Sequence, residues 1–130
     1  MTNDRLARIL SSILLVPGLL HFVAPKPFDS IIPKELPGSP RTWTHASGSA
    51  EIGLGVAVLA PRSRRLAASL AAALFVAVFP ANVNMIREWV DKSPTMKTLA
   101  WARLPLQLPL IALALIVRRG ARRPAGTDRR

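Results

Sequence analysis

Apolar residues along this chain gather in four blocks, with little of the striping a soluble protein shows. The blocks cover residues 6–24, 43–60, 66–83 and 99–117, each 18 or 19 residues long and nearly free of charge. About 20 helical residues at 1.5 Å each cross a hydrocarbon core of about 30 Å, so each block has the length of a membrane span. A soluble four-helix bundle would show a polar stripe with a 3.6-residue period. Between Leu66 and Phe79 the only polar residue is Ser69, which excludes that reading. The pattern therefore predicts an all-α, four-helix transmembrane bundle over residues 1–117, followed by a disordered basic tail over 118–130.

Composition sharpens this picture. Half of the 130 residues are hydrophobic although 19% are charged, so charge and apolarity must be segregated. The first block has no convincing A-x-A cleavage site and reads as a retained span. No cysteine is present, which excludes disulfide, thiol-relay and thiolate-metal chemistry. The net charge of +11 lies beside membrane segments, where acidic phospholipid headgroups account for it and nucleic acid is not expected as a partner. Arg5, Arg8, Arg62, Arg64, Arg65 and six tail arginines fall on one side. Six Lys and Arg residues, diluted by Asp29, Glu35, Glu88 and Asp91, fall on the other. The positive-inside rule then puts both termini in the cytoplasm. Trp43, Trp89 and Trp101 all fall at the opposite, outer ends of the spans, as one leaflet's aromatic belt would.

Polar residues inside the blocks are the candidate chemistry. With this topology His21 lies about 5 Å below the outer surface, Arg103 about 6 Å, and Glu51 and Gln107 about 12 Å, with Asn82 near the end of its span. All five share the outer half. Helical spacing sets Thr44, Gly48, Glu51 and Gly55 on one face, Leu14, Pro17, Gly18 and His21 on another, and Phe75, Phe79 and Asn82 on a third. Four such faces can enclose a chamber with His21, Glu51, Asn82, Arg103 and Gln107 above Phe75 and Phe79. A charge at this depth costs about 2.5–3.5 kcal/mol, so Glu51 and Arg103 are expected to pair. Such a pair serves a ligand site and a structural lock equally well. Pro17, Pro80, Pro105 and Pro109 each free a helical carbonyl beside these donors. Ser49, Gly53 and Ala57, on the far face from Glu51, are expected to pack helices. His21, His45 and Glu51 match no metal motif, so no metal is expected. The outer loop PKPFDSIIPKELPGSPR has five prolines and reads as a lid or a stiff strap, with Asp29 and Lys34 turned outward.

The segments GLLHFVAPKPFDSIIPKELP, SGSAEIGLGVAVLAPRSRRLAA, LFVAVFPANVNM and RLPLQLPLI resemble the DoxX-like family of small bacterial membrane proteins. The resemblance implies a four-helix bundle of the bacterial inner (plasma) membrane, with the positions of His21, Glu51, Asn82, Arg103 and Gln107 matching the family's polar ones. It also implies an accessory or quinone-contacting subunit of a membrane oxidoreductase or redox-stress system, with no catalytic activity of its own. A quinone or small hydrophobic molecule would then be the ligand, and a soluble or membrane oxidoreductase the partner. The alternative is a non-catalytic scaffold or chaperone-like adaptor whose polar cluster is structural. A transporter fits worst, because no inverted repeat and no polar path through the inner half are visible.

Overall fold

The computed structural model describes residues 2–121, and the described residues form an all-helical chain without strands. Six helices follow in order: α1 (Asn3–Val23), α2 (Pro25–Ser30), α3 (Pro40–Ala57), α4 (Arg64–Ala77), α5 (Phe79–Glu88) and α6 (Pro94–Gly120). α4 and α5 together make one long rod, Arg64–Glu88, interrupted at Val78. Pro80 explains the interruption, since it has no N–H to close the turn onto Val76. α6, by contrast, stays helical through Pro105 and Pro109.

Local sequence starts these helices cleanly. Thr2 caps α1 by accepting from the Arg5 N–H. α3 and α6 both open on Ser-Pro: Ser39 and Ser93 accept from the Thr42 and Met96 N–H groups, and proline fills the next position. Proline suits that position because its missing N–H would have been unsatisfied anyway. Gly38, at φ 81°, makes the left-handed turn into the first of these caps.

Three helices are long and apolar enough to cross a membrane: Asn3–Val23, Arg64–Glu88 and Pro94–Gly120. α3 does not join them, because Arg41, His45, Glu51 and its run of Thr, Ser and Gly dilute its apolar character. The expectation of four spans is thus met clearly by three. The third expected block, 66–83, belongs to a longer rod, and α6 extends past 117 to Gly120. Beyond Ala121, the expected disordered tail lies outside the described residues.

Two pairs dominate the packing, α1 on α3 and α4 on α6, joined through α1–α6 and α3–α4 contacts. The main core lies toward the end where α1 begins and α6 finishes. There Ala7, Leu10 and Leu14 meet Val58, the alanines 67, 68, 71 and 72 of α4, and Ala114 and Val117 of α6. Alanine faces let backbones approach closely, which is where helix association in lipid gains its packing energy. Any side chain at Gly120 would collide with Asn3, so the start of α1 and the end of α6 share one end of the bundle. Arg64, buried there, donates to the Val58 and Leu59 carbonyls and to Asp4, capping α3 and tying it to α1.

Close α1–α3 packing runs along the Glu51 face. A Cβ on Gly48 would stand 2.7 Å from the Cβ of His21, and one on Gly18 would stand 3.0 Å from the Cβ of Glu51. Of the expected packing stripe, Gly53 meets nothing within 4 Å among the described residues and Ser49 is exposed, so both face outward, while Ala57 packs partly buried against the main core. The seam is on the other side because only there does a glycine let His21 approach the backbone.

Candidate functional site

The lid end is fastened from three sides. α2 lays Phe28 on the His21 ring, with centroids 3.8 Å apart. Asp29 accepts from Thr44 at 2.6 Å and from Arg41 at 2.9 Å, which binds α2 to the first two turns of α3. Asn84 of α5 donates to the Ile31 carbonyl at 3.1 Å, and Ile31 packs with Met85 and Ala100 in a second small core. Trp43 closes the loop by donating to the Pro37 carbonyl at 2.7 Å. Asp29, expected to face outward, is turned inward because Thr44 and Arg41 give its carboxylate the partners that water would otherwise provide. Burial pushes that carboxyl up, but the hydrogen bonds from Thr44 and Arg41 and the charges of Arg41 and His45 outweigh it. The net effect holds it below the ordinary carboxylate range.

Beneath the lid the expected residues are only partly brought together. The carboxylate of Glu51 lies 3.1 Å from His21 Nδ1, and Glu51 forms no ion pair with Arg103 among the described residues. The expected Glu51–Arg103 pair is therefore replaced by Glu51–His21. The cause is geometric: Gly18 and Gly48 let α1 and α3 close onto each other, whereas α3 and α6 are not among the main packing pairs. His21 Nδ1 also lies 2.6 Å from the Pro17 carbonyl, which can only accept, so Nδ1 carries a proton directed there. Glu51 Oε2 is consequently buried with no aligned donor among the described residues.

Gln107 donates to the Phe75 carbonyl at 2.8 Å, satisfying the last turn of α4 just before the Val78 break. The sequence places a donor beside the prolines of its own helix, yet the carbonyl it serves is on the neighbouring one. Asn82 is 1% exposed and its Nδ2 has no partner among the described residues. Phe75 is buried in the alanine core while Phe79 is 40% exposed, so the two rings point to different surroundings. Surface hollows lined by Lys97, Thr98 and Trp101, and by Asp4, Arg8 and Pro61, lie at the helix ends, and none of the five polar residues lines them. No group of three His, Cys, Asp or Glu among the described residues is arranged to hold a metal.

Sequence reasoning missed Thr44 and Asn84 as fasteners. Thr44 shares the Glu51 face, which was a usable signal. Asn84 lies two residues from Asn82, which on a helix turns it about 200° away, so its role depends on the lid passing over α5.

A family model described as Domain of unknown function (DUF8561) matches residues 10–118. The chain belongs to that family. The match takes in all or most of every helix and contains every segment behind the DoxX resemblance, which it overturns. Apolar blocks with polar outer ends and a proline-rich connector are demands of building helices in a bilayer, so they do not discriminate between families. No curated protein matches the DUF8561 chain, and no solved structure does.

Proposed function

We propose that this DUF8561 protein is a four-span protein of the bacterial plasma membrane, with both termini cytoplasmic, acting as a non-catalytic scaffold or adaptor. The observation that carries this reading is how the polar groups of the lid end are used. Asp29, Thr44, Arg41, Asn84 and Gln107 spend their hydrogen bonds fastening α2, α3, α4 and α5 to each other and to the bundle. A rigid lidded face is what a partner-binding surface needs, since ordering costs are met before binding. For the fourth crossing, α3 is about 27 Å long at 1.5 Å per residue and seals along α1 through Gly48 and Gly55. The arginine-rich end with both termini supports the cytoplasmic assignment.

A second reading has one observation in its favour. Among the described residues Asn82 Nδ2 and Glu51 Oε2 are buried without an aligned hydrogen-bond partner: the first is a donor that a quinone carbonyl could accept from, the second an acceptor for the hydroxyl of the reduced quinol, as a site serving a membrane oxidoreductase would need. Native mass spectrometry of the detergent-purified protein, beside Asn82→Leu and Gln107→Leu, tests both. The scaffold reading expects a co-purifying protein retained in Asn82→Leu, and a lower melting temperature in Gln107→Leu. A co-purifying quinone that Asn82→Leu loses, with melting unchanged, would replace the scaffold reading by the second.

A further inference from the structure

The seam between α4 and α6 at the terminal end holds two arginines together. Arg65 donates to the Arg118 carbonyl at 3.5 Å, and Arg118 Nε donates to Ser69 Oγ at 2.9 Å. Ser69 in turn donates to the Arg65 carbonyl at 2.8 Å, so one hydroxyl sets both residues in register. These contacts use one nitrogen of each guanidinium and leave the others for a ligand. The acidic residue at this end of the described chain is Asp4, and it is engaged by Arg64. Two like charges held side by side without a carboxylate repel, and a shared anion between them turns that repulsion into attraction. Planar guanidinium forks match phosphate oxygens in bidentate fashion.

Apolar surface continues from this pair into the bundle. Leu66 and Leu70 of α4 are 67% and 47% exposed, and Leu115 of α6, one turn before Arg118 on its own helix, is exposed as well. A phosphate at the arginines would have its hydrocarbon chains running along these leucines. Resting on the membrane reading above, we propose that the Arg65–Ser69–Arg118 seam is a binding site for an anionic phospholipid of the cytoplasmic leaflet. Its headgroup phosphate is held by both guanidiniums, and its acyl chains lie on Leu66, Leu70 and Leu115. This is a defined site, distinct from the diffuse attraction that every arginine near the membrane surface contributes.

The test uses the full chain, purified in detergent, delipidated and titrated with phosphatidylglycerol, with phosphatidylcholine and inorganic phosphate as separate arms. Retained lipid is read by native mass spectrometry and the melting temperature is read in parallel. Phosphatidylglycerol is expected to bind and raise the melting temperature, and the other two arms are expected not to. A direct hydrogen bond to a charged group contributes about ten-fold or more in affinity, so Arg65→Gln with Arg118→Gln should weaken binding roughly 100-fold. Arg5→Gln with Arg8→Gln removes equal charge at the same end and should retain most of the binding. Ser69→Ala, which keeps every charge, should weaken it several-fold by releasing Arg118, and it guards against the double variant failing to fold. Equal losses in the two double variants, full binding in Ser69→Ala, or an equal shift with inorganic phosphate would each overturn the proposal. Failure of the membrane reading itself would look different, as protein recovered without detergent in every variant.

Discussion

Adding one methyl group at Gly48 should separate α1 from α3, and the same methyl at Gly53 should not. At Gly48 the new Cβ would lie 2.7 Å from His21 Cβ, 2.9 Å from Phe22 Cε2 and 3.1 Å from the Gly18 carbonyl oxygen. Carbon atoms rest at about 3.5–4.0 Å, so the shortest contact must open by roughly 0.8 Å. His21 Cβ is one bond from the backbone, so the helices themselves have to move. Overpacking of this kind costs about 1–3 kcal/mol. Replacing glycine by alanine inside a helix returns about 1 kcal/mol in either place. Gly53→Ala should therefore be neutral or stabilising, and Gly48→Ala should fall below it by about 1–3 kcal/mol, the packing term alone. Gly55→Ala should come between, because its nearest neighbours are the outer atoms of the Leu15 side chain, which can rotate. Melting in detergent reads this as a gap of several degrees between the Gly48 and Gly53 variants. Equal melting temperatures, or the reverse order, would refute the α1–α3 seam.

Glu51→Gln and His21→Gln should couple by at least about 0.5 kcal/mol in a double-mutant cycle, while the Glu51–Arg103 cycle should be nearer to additive; unfolding in detergent decides, and the opposite ranking would restore the pair expected from sequence. Asp29 has a depressed carboxyl, so its contribution to the lid is present above the ordinary carboxylate range and is lost as pH falls through the lower folded value. Trp43 fluorescence should accordingly report loosening in acid, and Asp29→Asn should abolish that transition while leaving the lid loose at neutral pH. Asn84→Leu removes one hydrogen bond to the lid, worth about 0.5–1.5 kcal/mol, and limited proteolysis should then cut faster between Ile31 and Ser39 without a matching drop in the melting of the main core. Reporter fusions after Arg130 and within the two lid-end loops check sidedness, and a periplasm-only reporter active at the C-terminus would invert the proposed topology.

Much of this fold was legible in block lengths and caps. Four helical rods occur where four apolar blocks stand, and the Ser-Pro pairs at 39–40 and 93–94 mark the starts of two of them. What hydropathy does not carry is azimuth between helices. Glu51 and Arg103 have compatible depths, yet which neighbour a side chain meets depends on which helices pack, and Gly18 and Gly48 decide that by admitting α1 to α3. The same limit hid the lid. Five prolines announce a stiff connector, but Asp29, Phe28 and Ile31 find partners on α3, α1 and α5 only after the bundle has formed.

The polar residues of the lid end divide by the kind of group they serve, and that division bears on function more than their shared depth does. Gln107 and Asn84 serve backbone carbonyls, one at the broken end of α4 and one in the lid. In a membrane these carbonyls have no water to turn to, so such donors belong to the fold. Thr44 and Arg41 serve a carboxylate in the lid, which is again architecture. Among the described residues Glu51 Oε2, beside His21 but without an aligned donor, and Asn82 Nδ2 make no hydrogen bond, and burial without one costs each about 1–3 kcal/mol. A scaffold accounts for the first group completely. It accounts for the second only if the partner it binds, or water, reaches beneath the lid, so the behaviour of Asn82→Leu separates a purely structural cluster from one kept for a ligand.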